Sequence, residues 1–406
     1  MGRRFVWLSL LLAALAGCSE RLTAPGECPE FCPPTLIDIV DTVITGAIVR
    51  DSSYRGYVQA RGASALQIAR QADTILSRAV LRYFRFPDSL RAATADAELS
   101  AVVSVDSFRV RFTVERMTDV DGLELALYRL PIDMDSTTTL AEVAPFFDDS
   151  TLIATIPIPD TLTTDSITAD TVAVMVLPAA FPTFAADTGV VAIGVAVRGA
   201  ADAFMDLTSA QGAMSPVVTR FVTVDSLATG TEVERSDARQ PLFDTFLFPP
   251  PPPPVGDVLL AGGAPSARSL LRIDLPAAIV DSSEMVRSTL IIVPSEATLG
   301  APGDTFLLRA EALSADFGPK SPLLGSTIEG LVLGTTEVVA GTMDTIRIDV
   351  THIMRPWRTD ASLPRSFMIR VVPEGAGLGE VRVGSTREGS GPALHLTYVP
   401  LVGGGN

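Results

Sequence analysis

The residues able to carry chemistry are few in kind. The chain of 406 residues has two histidines, His352 and His395, and three cysteines, Cys18, Cys28 and Cys32. A serine or cysteine nucleophile needs a neighbouring base to take its proton. Neither histidine stands in a setting of that sort: His352 follows Asp349-Val350-Thr351, and His395 alternates with Leu394 and Leu396 along a strand-like run. No Gly-x-Ser-x-Gly elbow, phosphate-cradling glycine loop or His-Glu-x-x-His zinc helix occurs. No catalytic residue is assigned from sequence. The 47 acidic residues keep carboxylate chemistry open, since a glycosidase needs only two at the right separation.

Most of those acids sit beside Thr and Ser, where turn formation and solvation account for them. Asp133, Asp135, Asp148 and Asp149 gather around one loop region, and Asp119 and Asp121 precede Gly122. Calcium favours such oxygen-rich loops, but neither group has EF-hand spacing, so no cofactor is expected and calcium stays a minor alternative. Cys28 and Cys32 are spaced to close a small disulfide loop, with free or intermolecular thiols as the alternative. A metal there would lack further ligands, because both histidines are remote in sequence. Sugar recognition would use flat aromatic faces. The candidates are Trp357, between Pro356 and Arg358, and the pair Tyr54 and Tyr57, read as an exposed loop beside Arg55. For Trp357, burial as a plug after a core strand is the stronger expectation.

The elements that must position these residues read as strands. Apolar residues alternate with polar ones in short runs, separated by Asp, Thr, Ser, Gly and Pro clusters. That pattern predicts an all-β fold of two antiparallel β-sandwich domains in tandem, jelly-roll-like, with short helices over Ala65–Asp73 and Leu140–Phe147. The expected boundaries are a signal peptide at 1–17, a proline-rich tether at 18–36, a first sandwich at 37–225, a linker at 226–256, a second sandwich at 257–399 and a flexible tail at 400–406. Pro249 to Pro254 within the linker predict a stiff left-handed spacer.

Three echoes in the same order suggest that the halves repeat one design. The run Ser77–Pro87 matches Ala267–Pro276, Asp170–Val176 matches Asp344–Val350, and Ser209 with Pro216 matches Ser385 with Pro392. The second half resembles a known family through Ser269-Leu270-Leu271-Arg272-Ile273-Asp274-Leu275, Ile348-Asp349-Val350-Thr351, Trp357, Ser385, Glu388 and Pro392-Ala393-Leu394. Over about 257–399 these look like the DNRLRE-type β-sandwich domain. That resemblance implies a secreted or surface bacterial protein, some relatives being classed as carbohydrate-binding modules. The first half keeps the strand order but has Phe84 in place of Asp274 and lacks both the Val-Thr and the Trp.

At the amino terminus, Arg3 and Arg4 precede an apolar run from Phe5 to Ala16, the pattern of a secretory signal. Its ending, Leu15-Ala16-Gly17-Cys18, resembles the bacterial lipoprotein box. The resemblance implies cleavage before Cys18 and lipid on that cysteine, with Ser19 favouring the outer membrane, facing the periplasm or the cell surface. The implied partners are the membrane, through the lipid, and envelope proteins or polysaccharide. A net charge of -16 repels nucleic acid, which is not expected as a partner. These features together predict a non-catalytic, lipid-anchored envelope protein displaying two sandwiches for adhesion, scaffolding or glycan binding, with a polysaccharide hydrolase as the alternative.

Overall fold

In the computed structural model, alternation in sequence becomes alternation of burial. The description covers residues 38–93, 98–118, 121–159, 170–182, 189–199, 202–226, 230–313, 315–316, 334–389 and 391–401. The signal, the tether with Cys18, Cys28 and Cys32, and nearly all of the tail lie outside the described residues.

The strands, in chain order, begin with β1 (Val40–Ile44), β2 (Ile48–Arg55), β3 (Ala65–Gln71), β4 (Thr74–Tyr83), β5 (Ser89–Leu90) and β6 (Ser100–Met117). Next come β7 (Glu124–Arg129), β8 (Leu152–Pro157), β9 (Asp170–Val176), β10 (Ala192–Arg198), β11 (Ala203–Thr208), β12 (Val217–Asp225), β13 (Glu232–Arg239) and β14 (Pro241–Leu247). The remainder are β15 (Val258–Gly262), β16 (Ala267–Ile273), β17 (Ser283–Ile292), β18 (Thr305–Ala312), β19 (Gly334–Val339), β20 (Ile346–Asp349), β21 (Ser366–Val372), β22 (Glu380–Gly384) and β23 (Ala393–Pro400). Every pairing between them is antiparallel.

One hydrophobic core lies between the sheet β1-β23-β17-β20 and the sheet β19-β18-β21-β16-β15-β22, to which β2 adds at β16. Leu290, Ile348, Leu394 and Leu396 from the first sheet meet Leu271, Leu308, Phe367 and Ile369 from the second, a two-layer sandwich. We call this the terminal sandwich, because both ends of the described chain build it. The other core is enclosed by β3 to β14, whose pairings form one connected network that turns over on itself. Long strands make that turn. The amino-terminal end of β4 pairs with β3 while its remainder pairs with β10 and β14. Similarly, β6 pairs along its length with β12, β9 and β11. We call this the inserted sandwich, since the chain enters it from β2 and leaves it towards β15. Both cores fall within one compact unit, Val40–Asn406.

Strand ownership therefore departs from the expected boundaries. β1 and β2, assigned to the first sandwich, pair with β23 and β16 of the terminal one. β13 and β14, assigned to the linker, pair with β12 and β4 and complete the inserted one. The charge of Glu232–Arg239 reads as a solvated bridge, yet an edge strand is also polar on its open face.

Three smaller readings also change. Ala65–Asp73, expected as helix, is β3, with Ala65 to Ala69 all buried. A run apolar on both faces lacks the period of two that marks a half-buried strand. Glu98–Val105 and Phe108–Glu115, which by pattern read as two separate strands, join into β6, with Asp106 unpaired at a register shift opposite Phe221 and Val222. The prolines do not stand free as a spacer: Pro252 carbonyl accepts from Arg382 Nη2 at 2.7 Å.

Candidate functional site

The strongest candidate is a cleft of about 450 Å³ between the two sandwiches. Its floor is built from strands buried on both faces. β11 is buried at all six positions, flanked by β3 and β6, and carries Asp206 in its middle. Arg116 stands opposite Asp206 in the register of β6. The Arg116 Nε and Nη2 atoms donate to Asp206 Oδ2 at 2.9 and 2.5 Å. Its Nη1 reaches the terminal sandwich, donating to Asp304 Oδ1 at 2.9 Å and to the Thr305 carbonyl at 2.8 Å.

A second polar link runs beside the first. Gln67 on β3 donates from Nε2 to Asp304 Oδ2 at 2.9 Å and accepts at Oε1 from the Leu378 amide at 2.7 Å. Glu115, Glu337 and the apolar side chains of Phe306, Leu307 and Val371 line the cleft further out. Only 2% of either the Asp206 or the Asp304 side chain is exposed, whereas 46% of Arg116 is.

Electrostatics follow from that burial. Loss of water pushes the Asp206 carboxyl up to about 6, against the opposing pull of Arg116, and the nearby Asp304 charge adds to the rise. Burial likewise raises Asp304, with Arg116 and Gln67 opposing. The Oδ1 atom of Asp206 is buried with no hydrogen-bond partner. Chemically, one guanidinium held between two carboxylates offsets one of their two negative charges and fixes their separation, which suits a staple between sandwiches.

The sequence-predicted residues are dispersed. Trp357 is 4% exposed, and its ring stacks on Phe367 with centroids 5.4 Å apart. It also lines a cavity of about 430 Å³ with Ile279, Met285 and Met354. Tyr54 lies in β2 and not in a loop, in register with Arg268. The Tyr57 ring is covered by the Arg268 guanidinium, 4.2 Å from its centroid, and burial pushes its hydroxyl up to about 12. Neither tyrosine joins Trp357 in that cavity. His395 Nε2 lies 2.9 Å from Asp41 Oδ1 on the neighbouring β1.

The acids of the oxygen-rich loop serve local structure. Asp135 Oδ1 accepts from the Thr137 amide and hydroxyl, Asp148 Oδ1 accepts from the Ser150 amide and hydroxyl, and Asp149 pairs with Arg198. Among the described residues no group of three or more His, Cys, Asp or Glu is gathered as a metal site. Asp119 is outside the described residues.

Sequence reasoning passed over Gln67, Arg116, Asp206 and Asp304, which belong to no motif. The available signal was a single polar residue in an otherwise apolar run, as in Ala65-Leu66-Gln67-Ile68-Ala69 and Ala203-Phe204-Met205-Asp206-Leu207.

Fold and cleft define an all-β protein of antiparallel sheets with a buried polar link between its two cores. No family model matches the chain, and neither the curated proteins nor the solved structures contain a significant match.

Proposed function

We propose that this chain is a non-catalytic, lipid-anchored protein of a bacterial outer membrane, presenting its sandwiches for adhesion, scaffolding or glycan contact. The observation that carries this reading is the double attachment of the inserted sandwich. The chain crosses between sandwiches twice, at β2–β3 and at β14–β15, and Arg116 and Gln67 bond across the gap to one residue, Asp304. Such a joint suits a body that must present a surface without flexing. The anchor rests on the Leu15-Ala16-Gly17-Cys18 ending. The DNRLRE-type resemblance supports an envelope setting and a carbohydrate as one ligand class, with the strand motifs alone as its basis. Radiolabelled palmitate should appear on the wild-type protein in a bacterial host and vanish with Cys18→Ser. A glycan array and a polysaccharide pull-down with the full mature chain test the ligand class, and blank results on both remove the glycan version.

One observation favours the alternative of a polysaccharide hydrolase. Asp206, pushed up to about 6, and Asp304 share a cleft large enough for a sugar unit. Turnover of any polysaccharide that Asp206→Asn abolishes would replace the display reading with this one.

A further inference from the structure

The connections at one end of the terminal sandwich do not close over its core. The chain leaves β16 through Leu275 and the short helix Ala277–Val280 to reach β17, and leaves β20 through the helices Thr351–Met354 and Pro356–Thr359. Between these segments lies the cavity of about 430 Å³ that Trp357 borders. Leu275, Ile279, Val280, Met354 and Trp357 wall it, all of them buried, and Met285 adds a half-buried thioether. Protein cores rarely leave a void larger than a water molecule, so a space of this size is an exception within the fold. Water there meets apolar walls, and an apolar guest that displaces it is favoured. Met285 and Met354 are unbranched and adjust to the shape of such a guest.

The polar groups of the wall are committed to the fold, with one exception. Ser283 Oγ donates to the Ile279 carbonyl, Thr359 Oγ1 donates to the Pro356 carbonyl at 3.1 Å, and Arg358 Nη1 pairs with Glu284 Oε2. The exception is Arg355. β17 bulges against β23 between Met285 and Arg287, which leaves Val286 out of the ladder. The Met285 and Val286 carbonyls accept from Arg355 Nε and Nη2, each at 3.1 Å, and so fix the guanidinium at the cavity. Among the described residues Arg355 pairs with no carboxylate, and its Nη1 makes no hydrogen bond. Glu284, Arg355 and Arg358 are the only charged residues of the wall. It therefore carries one surplus positive charge in a chain whose net charge is -16.

We propose that this cavity binds an aliphatic carboxylate of the fatty-acid class, its chain against Trp357, Met285 and Met354 and its carboxylate on Arg355. A guanidinium held at Nε and Nη2 keeps its Nη1 donors for a carboxylate oxygen, a charge-assisted contact. A sugar fits this wall poorly. Its hydroxyls need several donors and acceptors, and Ser283 and Thr359 have given theirs to backbone carbonyls. The site is separate from the cleft around Asp206, and its ligand is independent of any glycan that the sandwiches contact.

The test uses the full chain carrying Trp7→Phe, which leaves Trp357 as its one tryptophan. Decanoate is titrated below its micelle-forming concentration while Trp357 emission and Tm are followed, with decanol and decyltrimethylammonium as neutral and cationic matches. The expected result is a saturable shift of Trp357 emission to shorter wavelength and a Tm that rises with decanoate. Decanoate should bind about tenfold more tightly than decanol, the worth of one charge-assisted hydrogen bond. In Arg355→Gln that preference should fall to about one. Val280→Phe adds a ring to the wall and should abolish binding of both ligands, with the Tm of the unliganded protein reporting an intact fold. Met285→Phe fills the same space from a half-buried position and should do likewise. No saturable response to decanoate overturns the inference. So does equal binding of decanoate and decanol by the original wall, an unchanged preference in Arg355→Gln, or undiminished binding by both cavity-filling variants. Phosphatidylglycerol vesicles form a separate arm: a response to them without one to decanoate assigns the cavity to the acyl chain of a bilayer lipid and overturns the free carboxylate.

Discussion

Arg116 and Asp304 belong to different sandwiches, yet the guanidinium Nη1 and the carboxylate Oδ1 lie 2.9 Å apart, with Asp304 almost wholly buried. The contact converts two cores into one body, because the same arginine also holds Asp206 of its own sandwich.

Removing that arginine leaves two buried carboxylates without a counter-charge. Arg116→Met is expected to cost roughly 2–4 kcal/mol, below the full cost of breaking a buried pair because Arg116 is partly exposed. Urea denaturation checks this. A lowered midpoint is expected, and two separate transitions would show that the sandwiches had uncoupled.

The pH dependence follows from Asp206. Its folded pKa, about 6, lies above the ordinary 3.8, so the folded state binds a proton that the unfolded chain releases between those values. The cost of its charge is complete above pH 6 and is relieved as pH falls through 6 towards 3.8. Acidification from pH 7 to pH 5 should therefore raise the Tm of the original chain relative to Asp206→Asn. Carboxylates held low by hydrogen bonds, Asp148 and Asp360 among them, lose their contribution at more acid pH in both proteins and cancel in the comparison.

Asp51 accepts from the Thr386 amide, the Thr386 hydroxyl and the Ser385 hydroxyl. Asp51→Ala orphans those donors and should cost about 2–4 kcal/mol. Hydrogen exchange should show faster exchange in β1 and β2 while β13 and β14 keep their protection. Asp244→Ala should reverse that pattern, since Asp244 supports the other edge pair.

Trp357 fills space against Phe367 in the core of the terminal sandwich. Trp357→Ala should lower stability by about 3–5 kcal/mol, read from thermal or urea unfolding. A loss of that size in the absence of any glycan identifies a packing ring. Unchanged stability would point to a ring kept for a ligand.

Much of the fold was legible from local pattern. Ser269–Leu275, Thr345–Val350 and Val217–Val224 carry the alternation of half-buried strands, and strands β16, β20 and β12 lie within two residues of those bounds at each end. The short helix expected over Leu140–Phe147 is present at Leu140–Val143, where the Thr139 amide donates to Glu142 Oε2 at 2.7 Å. β3 was hidden because burial on both faces erases the alternation, and the cleft was hidden with it: Gln67 reads as one polar residue in an apolar run until Asp304 is placed beside it.

What the amino-acid order determined by itself is the all-β class and those strands that alternate every second residue, because that pattern depends on residues close together in the chain. What the tertiary structure alone decided is ownership. Val40–Ile44 carries the alternation of a half-buried strand wherever it docks, and period-two alternation names a buried face without naming the edge that accepts the ladder. That edge is supplied by residues beyond the whole inserted sandwich, where Leu271 lies opposite Asp51 and His395 opposite Val43. Hydrogen bonding between backbones is nearly blind to sequence, so the choice rests on a few side chains, Asp51 among them, that meet only when the chain is folded.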